Sequence, residues 1–466
     1  SPARLTVPDD PAGARRQTLR GRVSAVDPDW VYVPVEVPAG SRRLTVRLRY
    51  DRALGVIDFG LFAPAGRFRG WSGGARNECT IAMADATPGY LAGPLPAGTW
   101  QVILGPYRVP AGGLAWELEV EAAATAGQPT VATAEAGPGG DGPERVLRDA
   151  PGWYRGDLHV HTLYSDGGWT PAEVLARARS AGLDFLVTSE HNTSAGHQAF
   201  ARCQRPDLLL VAGEEVTTRA GHAGAIGLAH GRWVDWRYRP ADGVWPTLAG
   251  ELRAEGALVQ ANHPFSAPKG AGWEFGWDEV DAVEVWNGSE SRPVNDRALA
   301  LWDGLLRDGR ALVATGGSDA HRPGDQVGHP QTVVMAERLA QAEVVAAIRA
   351  GRCWLATSAQ VELDFLAMAD GRLAGVGEHL PGGDREPVRV RLRVGGAPAA
   401  VATLHGQDGT VHAAPLGPGS AGTLAWETRL GATSWLRAEV RQPDGTLVAL
   451  TNPIWLGPAP RPAARA

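Results

Sequence analysis

The sequence has few cysteines, no long apolar run and no excess of basic residues, and each absence excludes a class of protein. The three cysteines, Cys79, Cys203 and Cys353, are widely separated, so neither a disulfide framework nor a cysteine zinc site is expected. No apolar run approaches the roughly 20 residues that span a bilayer. The net charge of −6, without a cluster of lysine or arginine, argues against nucleic acid as a partner.

The length and the turn-forming residues indicate several globular domains. The chain has 466 residues, more than one ordinary core accommodates. Its 60 glycines and 35 prolines favour turns and short strands over long helices. The chain starts at Ser1 without a signal-like segment, which favours the cytoplasm but leaves a secreted or periplasmic location after signal removal open. The sequence does not indicate an oligomeric state.

The first part of the chain shows the alternation of a β-sandwich. Apolar residues alternate with polar or charged ones at Leu44–Tyr50 and again at Trp116–Glu121. We therefore predict an N-terminal sandwich over residues 1–121. Residues 122–150 contain few large apolar side chains, which predicts a linker.

Between residues 151 and 358, short apolar strands alternate with amphipathic helices. A capping box with proline at the first helical position begins one helix at Thr170–Glu173. The predicted strands are 158–160, 185–188, 208–212, 257–260, 283–286 and 311–315. This order predicts a parallel sheet, and the number of units favours a barrel. Alternation returns at Val388–Val394, so residues 359–466 predict a second β-sandwich.

Histidines and carboxylates are concentrated at the ends of the predicted strands. His159 and His161 are two residues apart on one strand and therefore face the same side. The other members of this set are Asp166, His191, Glu214, Glu215, His263, Asp319 and His321. In such barrels, active sites form at the C-terminal strand ends. Imidazole and carboxylate ligands without thiolates suit Mn²⁺, Zn²⁺ or Fe²⁺, so the pattern predicts two or three divalent transition metal ions.

The motifs that contain these residues resemble those of the PHP (polymerase and histidinol phosphatase) family. They are GDLHVHTLYSDG at 156–167, SEHN at 189–192, NHP at 262–264 and GSDAH at 317–321. Within the family the match is closest to the carbaryl-hydrolase-like branch, through GEEVTT at 213–218, Gly221-His222 and EVWNG at 284–288. The resemblance covers about residues 151–358.

The resemblance implies both a fold and a set of metal ligands. The implied fold is α/β, a distorted (β/α)7 TIM-like barrel flanked by N- and C-terminal all-β sandwich domains. The implied ligands of a first ion are His159, His161, Glu215 and Asp319. Glu215 would bridge to a second ion, whose other ligands are His222 and His263. The implied ligands of a third ion are Asp166, His191 and His321.

Two positions are ambiguous in this assignment. The second motif has Glu190 where the family has aspartate, so the role of this carboxylate stays open. Glu214 and Glu215 are adjacent, and the match to the branch motif favours Glu215 as the ligand. Glu214 would then point the other way from the strand.

Three classes of function are considered for this sequence. Hydrolysis of a small-molecule phosphoester by metal-activated water, with a phosphodiester first, suits a cation cluster and is implied by the family. The branch implies the alternative, hydrolysis of a carbamate or carboxylic aryl ester. A binding protein without catalysis is third, and the intact metal motifs argue against it. The exonuclease role of polymerase-linked family members is disfavoured by the acidic net charge.

Some candidates are proposed to act on the substrate directly. Asp319, His191 and His321 are candidate catalytic residues. Either histidine would protonate the leaving group if the third metal site were empty, and a metal-bound water would do so if it were filled; the sequence leaves both alternatives open. The candidate substrate contacts are Arg219, Lys269 and Arg322 for a phosphate, with Trp286 and Asn287 inside a motif.

Overall fold

A computed structural model of the chain describes residues 3–6, 14–128 and 145–457. The N-terminal strands are β1 (Ala3–Thr6), β2 (Ala14–Val23), β3 (Val31–Val37), β4 (Arg43–Tyr50), β5 (Val56–Ala63), β6 (Arg67–Gly73), β7 (Glu78–Ala82), β8 (Gly98–Arg108) and β9 (Leu114–Ala123). They form two sheets, in the orders β1-β2-β9-β4-β7 and β3-β8-β5-β6, and the apolar side chains between these sheets form one core. The alternating runs in β4 and β9 are strands, as predicted.

The central part alternates strands and helices. Its elements are β10 (Gly152–Asp157), α1 (Pro171–Ser180), β11 (Phe185–Thr188), α2 (Ala195–Arg202), β12 (Leu209–Thr218), β13 (Gly221–Ile226), α3 (Trp245–Ala254), β14 (Leu258–Ala261), β15 (Ala282–Asn287), α4 (Arg292–Arg307), β16 (Val313–Gly317), β17 (Gln331–Ala336), α5 (Gln341–Arg349) and β18 (Cys353–Ala356). The capping box predicted for α1 is confirmed, because the Thr170 hydroxyl accepts from the Glu173 N–H and the Glu173 carboxylate accepts from the Thr170 N–H.

The central sheet departs from the prediction in the direction of some strands and in the position where its first strand ends. Its order is β16-β15-β14-β13-β12-β11-β10-β17-β18, and β13 is antiparallel to both of its neighbours. The prediction of a parallel sheet is therefore wrong at β13, because the short connection at Arg219-Ala220 makes a hairpin and cannot cross over the sheet. It is also wrong at β17, which is antiparallel to β10 and β18. The first strand ends at Asp157, so residues 158–160 follow it instead of forming it.

The central sheet curls so that the C-terminal ends of β10 and β16 approach each other. A parallel bridge links Val160 to Ala320, with the Asp319 N–H 2.7 Å from the His159 carbonyl oxygen. The segments after β10 and β16 are thereby brought side by side. The fold is mixed α/β and rich in strands, whereas the seven-unit barrel stays a prediction.

The C-terminal part is all-β. Its strands are β19 (Glu362–Ala369), β20 (Arg372–Gly375), β21 (His379–Leu380), β22 (Pro387–Gly395), β23 (Val401–Gly406), β24 (Gly409–Pro415), β25 (Ala421–Arg429), β26 (Trp435–Arg441), β27 (Leu447–Thr451) and β28 (Ile454–Leu456). A sheet in the order β20-β19-β22-β25 packs against β26 and β23, and pairing of β18 with β27 joins the C-terminal strands to the central sheet. The proposed domain boundaries stay predictions, and residues 129–144 of the predicted linker lie outside the described residues.

The N-terminal sandwich packs against the central part through aromatic side chains. Phe68 stacks on Trp233 with the ring centroids 4.5 Å apart, and Trp71 lies 4.5 Å from Trp236. These rings belong to one core that also includes residues of β12 to β14. In the described ranges, no helix combines the length and the apolar character that a membrane span requires.

Candidate metal centre

Four buried ligand-type side chains converge where β10, β12 and β16 end. His159 and His161 follow β10, Glu215 lies in β12, and Asp319 follows β16. The Nε2 atoms of the two histidines are 3.1 Å apart, and each lies 3.1 Å from Glu215 Oε2. Asp319 Oδ1 lies 3.3 Å from His159 Nε2 and 3.1 Å from His161 Nε2. These four atoms can all reach one cation.

The hydrogen bonds around this group leave its ligand atoms available. His159 Nδ1 lies 2.9 Å from Glu284 Oε1, which places its proton there and directs the lone pair of Nε2 into the group. Glu215 Oε2 is buried and has no hydrogen-bond partner within the described ranges. A buried carboxylate oxygen without a donor is costly, and a cation would satisfy it. Imidazole nitrogen and carboxylate oxygen also form the donor set of Zn²⁺ and Mn²⁺ sites, so these residues fit a divalent metal.

Glu215 faces a second group through its other oxygen. Oε1 lies 3.1 Å from His222 Nδ1 and 3.0 Å from His263 Nε2, and it accepts a hydrogen bond of 3.1 Å from Asn262 Nδ2. Oε2 meanwhile lies 3.2 Å from His191 Nδ1. One carboxylate thus has imidazoles on both sides, an arrangement that would suit a carboxylate shared between two ions.

A third group surrounds Asp166. Its Oδ1 lies 3.3 Å from His321 Nε2 and 3.6 Å from His191 Nε2. The ring of His161 lies between them, with centroids 4.3 Å from each. Together with His161, these side chains form another set that could hold an ion. The structure thus brings together all nine residues predicted as ligands.

Burial and neighbouring charges act in opposite directions on the pKa values of the site. Burial lowers the pKa of His161, but Asp319 and Glu215 more than offset this and raise it to about 10. Burial dominates at His191 and lowers its pKa to about 4. Burial raises the pKa of Glu215, but the charges of His159 and His191 hold it well below its usual range. Cation binding at such a site releases imidazole protons, because ligand atoms must be deprotonated.

Three residues of the site have a left-handed backbone. The φ angles are 55° at Asn192, 25° at His263 and 51° at Asp319. Such a conformation costs a non-glycine residue on the order of 1–3 kcal/mol, and it is concentrated at functional sites. Local hydrogen bonds stabilise it at Asn192, whose side chain accepts from the Thr217 N–H at 2.6 Å and donates to the Thr217 carbonyl at 3.1 Å.

The two ambiguous glutamates have distinct places. Glu215 lies among the ligands, whereas Glu214 points away and accepts a hydrogen bond of 3.1 Å from the Val234 N–H. Burial raises the pKa of Glu214 well above its usual range. Glu190 accepts from the N–H of Thr162 at 2.9 Å and from the hydroxyl of Ser165. It therefore fixes the turn between His161 and Asp166 instead of joining the ligand groups.

Glu284 is a candidate functional residue to which the sequence analysis gave no role. Its Oε2 accepts hydrogen bonds from the His263 N–H at 2.8 Å and from Asn287 Nδ2 at 3.1 Å, while Oε1 contacts His159 Nδ1. It therefore orients two predicted ligands at once. Its position inside the EVWNG motif, two residues after Ala282 begins a buried strand, was the available signal.

Replacing Glu284 with glutamine should weaken metal binding by about 10- to 100-fold, the usual effect of losing a partner that orients a ligand. Three donors face the Glu284 carboxylate, and an amide nitrogen would oppose at least one of them. Competition with a chromogenic chelator measures the affinity. Unchanged affinity in the folded variant would show that Glu284 does not orient His159.

A cavity of about 430 Å³ lies beside the ligand groups. Asp166, His191 and His222 form part of its wall. The N-terminal sandwich contributes the opposite wall, including Trp30, Asp58, Trp71 and Tyr107. The sequence had no local signal for this contribution, because the two walls are far apart along the chain.

The candidate substrate residues fall into different environments. Arg219 and Lys269 line the cavity. Arg322 is exposed and lies outside the cavity lining. Asn287 Nδ2 donates to Asp319 Oδ2 at 3.1 Å, so it contacts a predicted ligand. Trp286 packs in an apolar core away from the ligand groups.

Comparisons with known proteins concern part of the chain. A family model described as PHP-associated matches residues 306–353, the segment that contains Asp319 and His321. A search of curated proteins gives no match. A two-domain protein from Bacteroides vulgatus ATCC 8482, said to contain a predicted PHP-like metal-dependent phosphoesterase, is 18% identical with a TM-score of 0.37, over 67% of this chain and 100% of that one. An amidohydrolase from Chromobacterium violaceum, with bound sulfate and no metal, is 19% identical with a TM-score of 0.29, over 37% of this chain and 90% of that one.

Proposed function

We propose that the chain is a metal-dependent hydrolase of small-molecule esters, a PHP-type enzyme of the carbaryl-hydrolase-like branch. The observation that carries this proposal is the cluster of nine ligand-type side chains beside a cavity, in which Glu215 and Asp166 each lie close to several histidines. If these side chains only stabilised the fold, a buried Glu215 oxygen would not be left without a hydrogen-bond donor.

Two or three divalent ions, Mn²⁺, Zn²⁺ or Fe²⁺, fit these residues. When bound, such ions supply Lewis-acid polarisation of the ester and lower the pKa of water. The chain itself orients the ligands through Glu284 and Asn262, and it supplies Asp166, shared by His191 and His321. If no ion occupies the Asp166 group, we assign protonation of the leaving group to His321, because burial lowers the pKa of His191 to about 4 and makes it a poor proton donor at neutral pH.

A phosphodiester is the first candidate substrate. Several cations neutralise the charge that develops on a phosphoryl group, and Arg219 and Lys269 add positive charge to the cavity wall. A cavity volume of about 430 Å³ suits a small molecule. The sequence also has no cluster of lysine or arginine that would bind a polyanion.

An aryl carbamate or carboxylic ester is the second candidate. The observation that favours it is the aromatic wall, since Trp30, Trp71 and Tyr107 line the same cavity. Aromatic rings give a flat apolar leaving group favourable contacts. A neutral carbonyl ester would also need less charge neutralisation by Arg219 and Lys269.

A substrate panel separates the two candidates. Protein loaded with Mn²⁺ or Zn²⁺ should hydrolyse aryl phosphodiesters with a higher kcat/KM than aryl phosphomonoesters or aryl carbamates. If the carbamate has the highest kcat/KM, the phosphodiester assignment gives way to the second candidate. If metal-loaded protein hydrolyses none of them, the proposed activity on such esters is contradicted.

A further inference from the structure

Arg219 lines the cavity, and side chains of the N-terminal sandwich surround its guanidinium. Its Nη2 lies 2.7 Å from Asp58 Oδ2, and both side chains are 11% exposed. The guanidinium carbon lies 4.5 Å from the centroid of Trp30 and 5.1 Å from that of Tyr107. An ion pair at one end and aromatic rings around the guanidinium fix its position and its orientation.

A glycine in the neighbouring backbone leaves room for the guanidinium of Arg219. A Cβ atom at Gly105 would lie 2.6 Å from Arg219 Nη2 and 3.0 Å from the Cβ of Asp58, so only glycine leaves room there. Tyr107 is held to the opposite loop by reciprocal hydrogen bonds, from its hydroxyl to the Lys269 carbonyl at 3.0 Å and from Lys269 Nζ to its own carbonyl at 2.9 Å.

The ion pair occupies only part of the donor capacity of Arg219. A guanidinium carries five N–H groups, and Asp58 is opposite Nη2 alone. In the part of the chain that the structure describes, no acceptor lies in hydrogen-bonding position for Nε or Nη1. These donors belong to a side chain that lines the same cavity as His191 and His222.

We propose that Asp58 is a positioning residue, which holds Arg219 so that its free N–H groups bind an anionic phosphoryl oxygen of the substrate. The inference rests on the proposed function. It makes the N-terminal sandwich part of the substrate site, since Asp58, Trp30 and Tyr107 all come from it. A purely structural ion pair between domains would not need donors left free beside the ligands.

The test measures both anion binding and turnover. The probe is inorganic phosphate, titrated calorimetrically into full-length Mn²⁺-loaded protein, with bis(4-nitrophenyl) phosphate as substrate. Arg219→Ala should raise the Kd of phosphate and the KM of the diester at least about 10-fold, as expected for losing hydrogen bonds to a charged group. The kcat should change less than about threefold, because the metal ligands stay in place.

Variants of Asp58 separate positioning from folding. Asp58→Ala should have the same effect as Arg219→Ala. Asp58→Asn should keep both constants within about threefold of wild type, because the asparagine oxygen can take the place of Asp58 Oδ2, which lies 2.7 Å from Nη2. Thermal unfolding identifies any variant that fails to fold, and Arg219→Lys serves as a second test because it keeps the charge. Lysine loses the planar donors, so it should still raise the phosphate Kd.

A second ion pair between the same two parts of the chain provides the matched control. Asp29 pairs with Arg239 at 2.6 Å and is outside the cavity lining, so Asp29→Asn should leave both constants unchanged. The proposal is overturned if Asp29→Asn is as harmful as Asp58→Ala, if Asp58→Asn rescues nothing, or if Arg219→Ala binds phosphate normally. Phosphate binding that depends on Arg219 without any ester hydrolysis would support the anion site and contradict the proposed function. Hydrolysis that both alanine variants leave intact would do the reverse.

Discussion

Replacing Glu215 with glutamine should lower kcat at least about 100-fold and reduce the bound metal by at least one equivalent. Glu215 contacts ligands on both of its oxygens, so an amide nitrogen would oppose imidazole nitrogens on one side whichever way the side chain turned. Its pKa is held well below the usual range by His159 and His191, so the native side chain is an anion, and the variant loses that charge. Steady-state kinetics with saturating Mn²⁺, together with elemental analysis, measure both effects.

The neighbouring glutamate is the control for this variant. Glu214 is as buried as Glu215, but it faces away from the ligands and accepts from the Val234 N–H. Because burial raises its pKa well above the usual range, glutamine closely resembles its neutral form. Glu214→Gln should therefore keep its metals and most of its kcat. Equal losses in the two variants would mean that the effect comes from disturbing β12 and not from losing a ligand.

Asp319→Ala should also lower turnover at least about 100-fold, the range expected when an ordered group of the site is lost. Asp319 Oδ1 lies within 3.6 Å of His159, His161 and His321, so its loss opens the first group and removes a neighbour of the third. The left-handed backbone at Asp319 is less favourable for alanine than for aspartate, so the variant should lose some stability while keeping its fold. Circular dichroism should stay native-like while kcat falls.

Two further variants bracket this prediction. His263→Ala, which removes the partner of Glu215 Oε1, should give a similar loss. Asp281→Ala removes a buried aspartate at the opposite end of the same sheet, where its carboxylate accepts from the Val259 N–H. It should lower the thermal midpoint while leaving kcat nearly unchanged. Near-normal turnover of Asp319→Ala or His263→Ala would show that the ligand assignment is wrong at that position.

The clustering of the candidate ligands could be predicted because their positions depend on local sequence pattern. His159 and His161 lie just past a strand end, and Asp319 and His321 lie just past another, so topology brings these segments together. The helix α1 was predictable for the same reason, since its capping box lies within four residues at Thr170. Short-range rules were enough wherever the decisive contact lies within one element or at its end.

The placement of the candidate substrate residues depends on strand pairing, which the periodicity of the sequence alone does not reveal. A bulge between Glu284 and Trp286 shifts the register of β15 against β16. As a result, Asn287 faces Asp319 whereas Trp286 packs in the core. The hairpin at Arg219 likewise requires knowing that β13 pairs antiparallel with β12. Both features are set by pairing between strands and not by the composition of either strand.

The contribution of the N-terminal sandwich to the cavity is the feature that the sequence predicts least well. Asp58 and Arg219 are 161 positions apart, and nothing in either local sequence marks them as partners. Their contact follows from how two cores pack together, which is decided by buried aromatic surface such as the Trp71–Trp236 pair.

The metal content of the purified protein tests the account most directly. Protein that has never been exposed to chelator, analysed by mass spectrometry of its elements, should contain at least two equivalents of a transition metal per chain. The reason is that nine ligand-type side chains exceed what one four- or six-coordinate ion can use, and Glu215 has imidazoles on both oxygens. A stoichiometry of one or below would contradict the polynuclear centre.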